Sequence, residues 1–247
     1  MNRIKCIIAY DGTLFNGYQV QPNQRTVQTD IENVLTRMHK GKPIRIHASG
    51  RTDTGVHAVG QVIHFDSEYN LEAEQWKKAL NAQLPKDIYI KSVELVEPDF
   101  HARFDVVQKE YRYVIWNEKD EDVFSRSQHY FFPFELNIEK MQEALQLLMG
   151  THDFSSFCAS NTDIKDKVRT IYKGTITKEN NGIVIALVGN GFLYNMVRII
   201  VGTLIEVGQG KREILSLKNA LTARDRGTAG KTAPANGLFL WKVDYNN

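Results

Sequence analysis

A single carboxylate framed by two glycines is the most chemically suggestive feature of this 247-residue chain. In Ser49-Gly50-Arg51-Thr52-Asp53-Thr54-Gly55-Val56-His57-Ala58 the flanking runs are strand-like, and Gly50 and Gly55 each tolerate positive φ at no steric cost. The loop is therefore expected to turn sharply on both sides of Asp53 and to present that side chain to a cleft, where a carboxylate can act as nucleophile or base. Arg51 adds a fixed cation two residues earlier. The bland alternative is an Asx-turn, in which Asp53 accepts hydrogen bonds from the backbone ahead of it.

A second residue stands out by its surroundings. From Phe192 to Val207 the sequence is apolar nearly all round at helical spacing, the pattern of a buried helix, yet it contains Arg198. Burying one unpaired charge costs several kcal/mol, so Arg198 should meet an anion; otherwise it snorkels to the surface or pairs with an ordinary acid such as Glu206. Tyr111 and Tyr113 alternate with Arg112 in a strand-like run, which puts both tyrosines on one face. Tyr113 reads as core. Glu110, next to Tyr111, is an acid between the cations Lys109 and Arg112. His57 and His101 read as structural hydrogen-bonders, and His57 with His64 makes no convincing metal site. Cys6 and Cys158 stand alone, without C-x-x-C spacing, and read as small buried hydrophobes. No metal or cofactor is expected.

The string SGRTDTGVHA resembles the active-site motif of the tRNA pseudouridine synthase A family. Five further segments are similar to that family in the same order: Phe100-His101-Ala102-Arg103-Phe104, Lys109-Glu110-Tyr111-Arg112-Tyr113, Gly150-Thr151-His152-Asp153-Phe154, Gly191-Phe192-Leu193-Tyr194-Asn195-Met196-Val197-Arg198 and Ala233-Pro234-Ala235-Asn236-Gly237-Leu238. Several long matches in order are far more specific than one short pattern. The resemblance implies an isomerase of tRNA that converts uridine to pseudouridine in the anticodon stem-loop: the C1′–N1 bond breaks, the uracil rotates, and C5 joins C1′. It implies Asp53 as nucleophile, attacking C1′ or removing the C2′ proton, with Arg198 as its ionic partner. Tyr111 would stack on the target base, its hydroxyl placed to move a proton; Leu238 would form an apolar wall of the base pocket; and Arg51 would enter the stem and displace the base. The implied partners are tRNA and a second copy of the chain in a homodimer.

Two other classes compete. Ala9-Tyr10-Asp11-Gly12-Thr13-Leu14 looks like the D-x-D-G-T-L motif of haloacid-dehalogenase-type phosphatases, but the nucleophile's place falls on Ala9, which has no carboxylate. Asp11 and Gly12 read instead as a loop beside the cleft. A non-catalytic RNA-binding protein is the other alternative, since ferredoxin-like sheets with exposed aromatics stack bases. A carboxylate at the centre of a phosphate-binding surface weakens binding, so Asp53 argues for chemistry.

The elements that must position these residues follow from periodicity. Strands are expected at 3–10, 44–49, 60–66 and 88–96 with helices at 26–39 and 73–83, the order β-α-β-β-α-β. The second half repeats it, with strands at 105–116, 168–178, 182–190 and 238–245 and helices at 137–149, 192–207 and 211–224. The expected fold is α+β: two ferredoxin-like (βαββαβ-type) halves, residues 1–104 with the Asp loop and residues 105–247 with the Tyr strand and the Arg helix, their antiparallel sheets merged around a central RNA-binding cleft. The net charge is +2, but sign is segregated. Arg37, Lys40, Lys42, Arg45 and Arg51, with His39 and His47, form one stretch without acids, and Arg198 to Lys231 is also enriched in cations, as a phosphate footprint would be. No apolar run reaches the roughly 20 residues a membrane span needs, and the N-terminus lacks a secretory leader, so a cytoplasmic location is expected.

Overall fold

The computed structural model describes residues 1–160, 162, 164–179 and 182–246. The chain divides into two compact units, one of Met1–Val107 with Phe239–Asn247 and the other of Gln108–Leu238. In both, helices accompany a mixed sheet.

The first unit runs β1 (Asn2–Tyr10), α1 (Val27–Met38), β2 (His47–Ala48), β3 (His57–Ser67), α2 (Ala73–Asn81) and β4 (Ile88–Val96). Strand alternation is clean in β1, where Ile4, Cys6, Ile8 and Tyr10 are all buried. The Thr26 hydroxyl accepts the Thr29 amide and starts α1, which buries Val27, Ile31, Val34 and Leu35. A capping box between Glu72 and Gln75 starts α2, and Trp76 and Leu80 face inward. β1 lies between β4 and β3, antiparallel to both, while β2 joins the far edge of β3, giving the order β4-β1-β3-β2 of a split βαβ unit. That edge is shared. β10 (Leu238–Tyr245) pairs with the beginning of β3 at His57 and Ala58, and β2 pairs further along at Ile63 and His64.

The second unit contains β5 (Val106–Trp116), β6 (Tyr130–Phe131), α3 (Ile138–Gln146), β7 (Gly150–Asp153), β8 (Val168–Glu179), β9 (Gly182–Gly189), α4 (Met196–Gly208) and α5 (Ser216–Ala223). Its sheet runs β5-β9-β8-β7, all antiparallel. Met141, Ala144 and Leu145 of α3 are buried, as is almost the whole of α4.

The departures from expectation have physical causes. Wholly antiparallel sheets were expected, but β10 runs parallel to β3 and β6 parallel to β5. The strand expected at 44–49 shortens to His47–Ala48, because Ile44 and Ile46 are buried outside any strand ladder. The helix expected from 192 starts at Met196, because Asn195 sits in the left-handed region at φ 61° and breaks the ladder ahead of it. β6 and β7 were not foreseen; runs of two and four residues carry too little periodicity. Both cysteines are buried, as read. Among the described residues no helix is long and apolar enough to cross a membrane.

Candidate active site

The Asp53 loop leaves the sheet after β2 and returns at β3, and nearly every residue in it is tied down. The Ser49 amide donates to the Val62 carbonyl at 2.8 Å and its hydroxyl to Gln61 Oε1 at 2.5 Å. The Gly50 carbonyl accepts from Gln61 Nε2 at 2.9 Å. Thr52 is buried; its hydroxyl meets the Tyr10 hydroxyl at 2.8 Å and its carbonyl accepts the Tyr18 amide at 3.0 Å. The Val56 amide closes a turn onto the Asp53 carbonyl at 3.1 Å, and the Gly55 amide donates to Phe15. Asp53 itself is half-buried, between exposed Arg51 and exposed Thr54. Arg51 has no hydrogen bond or ion pair with any described residue, which leaves its guanidinium available to a phosphate or a base.

One of the two glycine hinges is real. Gly55 has φ +76°, but Gly50 is not in the positive-φ region; its carbonyl is held by Gln61, and the chain bends there without help from the left-handed conformation. The missing hinge lies elsewhere. Gly17, at φ +80°, brings its Cα so close that a Cβ there would stand 2.9 Å from the Thr52 carbonyl oxygen, and a Cβ on Gly12 would stand 2.1 Å from that of Val56. The segment read as a loop beside the cleft is thus the floor of the Asp53 loop, with a single helical turn at Gly12–Leu14. His57 joins the two, its Nδ1 accepting the Gly12 amide at 3.0 Å and facing Asp11 Oδ1 at 3.2 Å, while its ring stacks on Phe239 at 4.7 Å. It is a structural hydrogen-bonder, as is His101, whose Nδ1 accepts the Arg103 amide at 3.1 Å.

In the second unit Arg198 lies in the first turn of α4 and is half-buried. Its Nε donates to the Ala233 carbonyl at 2.7 Å and its Nη1 to Asn195 Oδ1 at 2.9 Å, and its own carbonyl accepts the Ala233 amide. The expectation of a cation midway along an apolar helix changes accordingly. At a helix N-terminus the macrodipole opposes a positive charge by about 0.3–1 kcal/mol, so this placement is unfavourable for the helix and calls for another reason. Glu206, the ordinary acid considered for it, forms an ion pair with Arg212.

The segment 231–238 explains its own motif. It lies against α4, where a Cβ on Gly202 would stand 1.7 Å from the Lys231 carbonyl oxygen, and against β5, where the Tyr113 hydroxyl donates to the Pro234 carbonyl at 2.8 Å. Burial raises the Tyr113 hydroxyl pKa, and the charge of nearby Arg198 opposes that rise. A Cβ on Gly237 would meet the Tyr113 ring at 2.8 Å, so glycine here lets Leu238, 5 % exposed, follow directly as a buried wall. Tyr113 is core, as read. Tyr111, on the same face of β5, is buried at 8 % exposure and packs edge-to-face with Phe192 at 5.1 Å. The acid beside it is neutralised within its own strand, Arg112 Nε meeting Glu110 Oε1 at 2.6 Å. The second unit therefore gathers Arg198, Tyr113 and the segment ending at Leu238; the first holds Asp53 and Arg51.

The basic stretch from Arg37 to Arg51 is less uniform than its composition. Lys42 pairs with Glu68, Arg45 pairs with Glu32, and His39 is buried between Leu35 and Ser67, which leaves Arg37, Lys40 and Arg51 as its exposed cations outside those pairs. Sequence reasoning placed Asp11 and Gly12 beside the site but missed Tyr10, Gly17 and Gln61. The signal for Gly17 was a second glycine five residues after Gly12, in the segment that follows a strand.

Comparison with known proteins follows this geometry. A family model described as tRNA pseudouridine synthase matches residues 6–105 and 144–246. A protein of Geobacillus sp. (strain WCH70) named tRNA pseudouridine synthase A is 59% identical over 245 residues, covering 99% of each chain. Proteins of the same name from Geobacillus kaustophilus (strain HTA426), covering 99% of this chain and 95% of that relative, and from Bacillus subtilis (strain 168), covering 99% and 100%, are 57% and 54% identical.

Proposed function

The chain belongs to the tRNA pseudouridine synthase family, and from that premise we propose how its own residues carry the reaction. It is a tRNA pseudouridine synthase, an isomerase. The proposal concerns the site. Asp53 is the nucleophile, in the charged form that a nucleophile or base needs, and Arg198 is a cation that takes part in the reaction. Tyr111 stacks on the target base and offers its hydroxyl for proton movement, Leu238 walls the base pocket, and Arg51 helps displace the base from its stack. A uridine taken out of a stem loses a few kcal/mol of stacking and pairing, which stacking on Tyr111 and phosphate contacts offset.

The observation that carries this reading is the way one loop is built: residues 49, 50, 52, 53, 55 and 56 are fixed by backbone or buried side-chain contacts, which holds the half-buried Asp53 in place two residues from an exposed Arg51. A loop that merely turned would not need so many anchors. Arg198 adds a second support, as a cation held against the helix dipole. The expected substrate is tRNA, with uridines of the anticodon stem-loop as targets, and the expected assembly is a homodimer.

The test is to incubate the protein with unmodified tRNA transcript and map pseudouridine by position. The wild type should modify the anticodon stem-loop, and Asp53→Asn should lose turnover while keeping tRNA affinity, because the amide preserves shape but is neither nucleophile nor base. Turnover by Asp53→Asn near the wild-type rate would remove Asp53 from the mechanism. Light scattering at assay concentration reads the oligomeric state directly.

A further inference from the structure

Gln61 is fully buried in the middle of β3, among Val62, Ile63 and Phe65. A buried amide is costly unless hydrogen-bonded, and an apolar residue would serve the sheet as well. Its partners show what it does instead. Oε1 accepts from the Ser49 hydroxyl and Nε2 donates to the Gly50 carbonyl; that carbonyl can only accept, so the amide orientation is fixed by chemistry. The Tyr10 hydroxyl, also buried, bonds Thr52 Oγ1 at 2.8 Å. Two side chains from β1 and β3 thereby hold Ser49, Gly50 and Thr52, three of the four residues that precede Asp53. The fourth is Arg51, which projects to solvent.

We propose that Gln61 and Tyr10 are positioning residues for the isomerisation: they fix the backbone that carries Asp53, so that force applied to Arg51 by the RNA does not displace the carboxylate. The inference rests on the reading of Asp53 as nucleophile. Neither residue needs to touch RNA. A displacement of about 1 Å at a reacting group costs on the order of 100-fold in rate, while binding through exposed cations is indifferent to it. The signature is therefore a loss of rate at constant affinity.

The experiment measures single-turnover rate and tRNA affinity for Tyr10→Phe, Gln61→Met and Gln61→Glu beside Asp53→Asn. Tyr10→Phe should lose roughly tenfold in rate and Gln61→Met roughly 100-fold, both with affinity within about twofold of the wild type. Gln61→Glu supplies a rescue. A buried glutamate has a raised pKa, and its neutral form again offers one donor to Gly50 and one acceptor to Ser49, so its rate should climb from about pH 8 to about pH 6 toward that of the wild type. Gln61→Met, with nothing to protonate, should show no such climb. Wild-type rates in Tyr10→Phe and Gln61→Met would overturn the proposal, as would equal losses of rate and affinity or a Gln61→Glu profile parallel to that of Gln61→Met. Should Gln61→Met fail to fold, Tyr10→Phe removes a single oxygen and carries the test. An active Asp53→Asn would instead bring down the underlying reading, while an inactive Asp53→Asn beside unaffected Tyr10 and Gln61 variants would bring down this inference alone.

Discussion

The hairpin of β2 and β3 and the hairpin of β8 and β9 occupy the same place in their respective units, each with its second strand paired to the unit's first. They part company where the pairing ends. β8 and β9 stay paired as far as Glu179 and Gly182, with residues 180 and 181 between them. β2 pairs for two residues and then releases residues 49–56, while the first residues of β3 pair with β10 instead. In the first unit ladder hydrogen bonds are replaced by bonds from side chains, chiefly those of Gln61 and Tyr10. A ladder holds a strand flat and turns alternate residues to either face. Side-chain anchors can hold a backbone that does not alternate, and so can present Asp53 and Arg51 out of strand register. The second unit keeps its regular elements and carries its proposed functional residues on them, Tyr111 on β5 and Arg198 in the first turn of α4.

That contrast predicts a large asymmetry on insertion. Two glycines placed after Thr52 should leave the protein folded but reduce single-turnover rate by about 100-fold or more, because Asp53 moves relative to its anchors. The same two glycines between residues 180 and 181 should leave the rate within about twofold, since no residue proposed for the chemistry lies between the paired ends Glu179 and Gly182. Comparable losses from both insertions, read in the same rate assay, would break the comparison.

Arg198 tests the second unit on its own terms. Arg198→Ala should lower the rate by about 100-fold, and Arg198→Lys, which keeps charge without the planar fork, should recover a small part of that. Stability should change far less, on the order of 1 kcal/mol, because the lost bonds to Ala233 and Asn195 are partly offset by relief of a cation at a helix N-terminus. A thermal melt beside the rate assay separates the two. A wild-type rate in Arg198→Ala would leave the placement of this cation unexplained and remove it from the site.

How much of this was legible in the sequence depended on whether the signal was local. Ile4, Cys6, Ile8 and Tyr10 alternate, and Val27, Ile31, Val34 and Leu35 recur at helical spacing, so β1 and α1 could be read directly. The Asp53 loop was legible as a motif, and Tyr113 as core. Gln61 was not legible. A polar residue in an apolar strand reads as its solvent-facing side, and nothing local says that its partners lie 11 and 12 residues away. The start of α4 was misplaced for a related reason: Asn195 breaks the ladder through its left-handed backbone, a choice that the surrounding apolar pattern conceals. Gly50 and Gly17 exchanged roles because glycine advertises freedom without saying where it is used.

A smaller effect is expected at Tyr111. Tyr111→Phe keeps the ring and its edge-to-face contact with Phe192 while removing the hydroxyl, so stacking survives and proton movement does not. The rate should fall by about tenfold with affinity unchanged. Loss of affinity in step with rate would mean that the hydroxyl serves binding.

The last expectation concerns stability, and again divides the units. In the first, the rings of His47, His64 and His101 lie within 4.8–5.5 Å of one another, with Arg3 and Asp66 close by. Burial, with the neighbouring His47, His101 and Arg3, lowers the His64 pKa to about 4, against a partial opposing pull from Asp66. The hydrogen bond agrees: Nδ1 accepts the Ala102 amide at 3.1 Å, and protonating that nitrogen would abolish the bond. The unfolded chain takes up this proton near the ordinary histidine pKa of about 6.5, so between that pH and about 4 it binds a proton that the folded chain refuses. The contribution is therefore complete above about pH 6.5 and is lost progressively as pH falls toward 4, by up to about 3 kcal/mol. Carboxylates with lowered pKa, such as Asp66 and Asp153, weaken the fold mainly below that window, so the two sources separate on the pH axis. His64→Gln can still accept the Ala102 amide through Oε1 but cannot titrate. Denaturant unfolding between pH 7 and pH 4 should thus show a flatter fall in the variant than in the wild type, and parallel curves would relocate the acid sensitivity away from the His64 cluster.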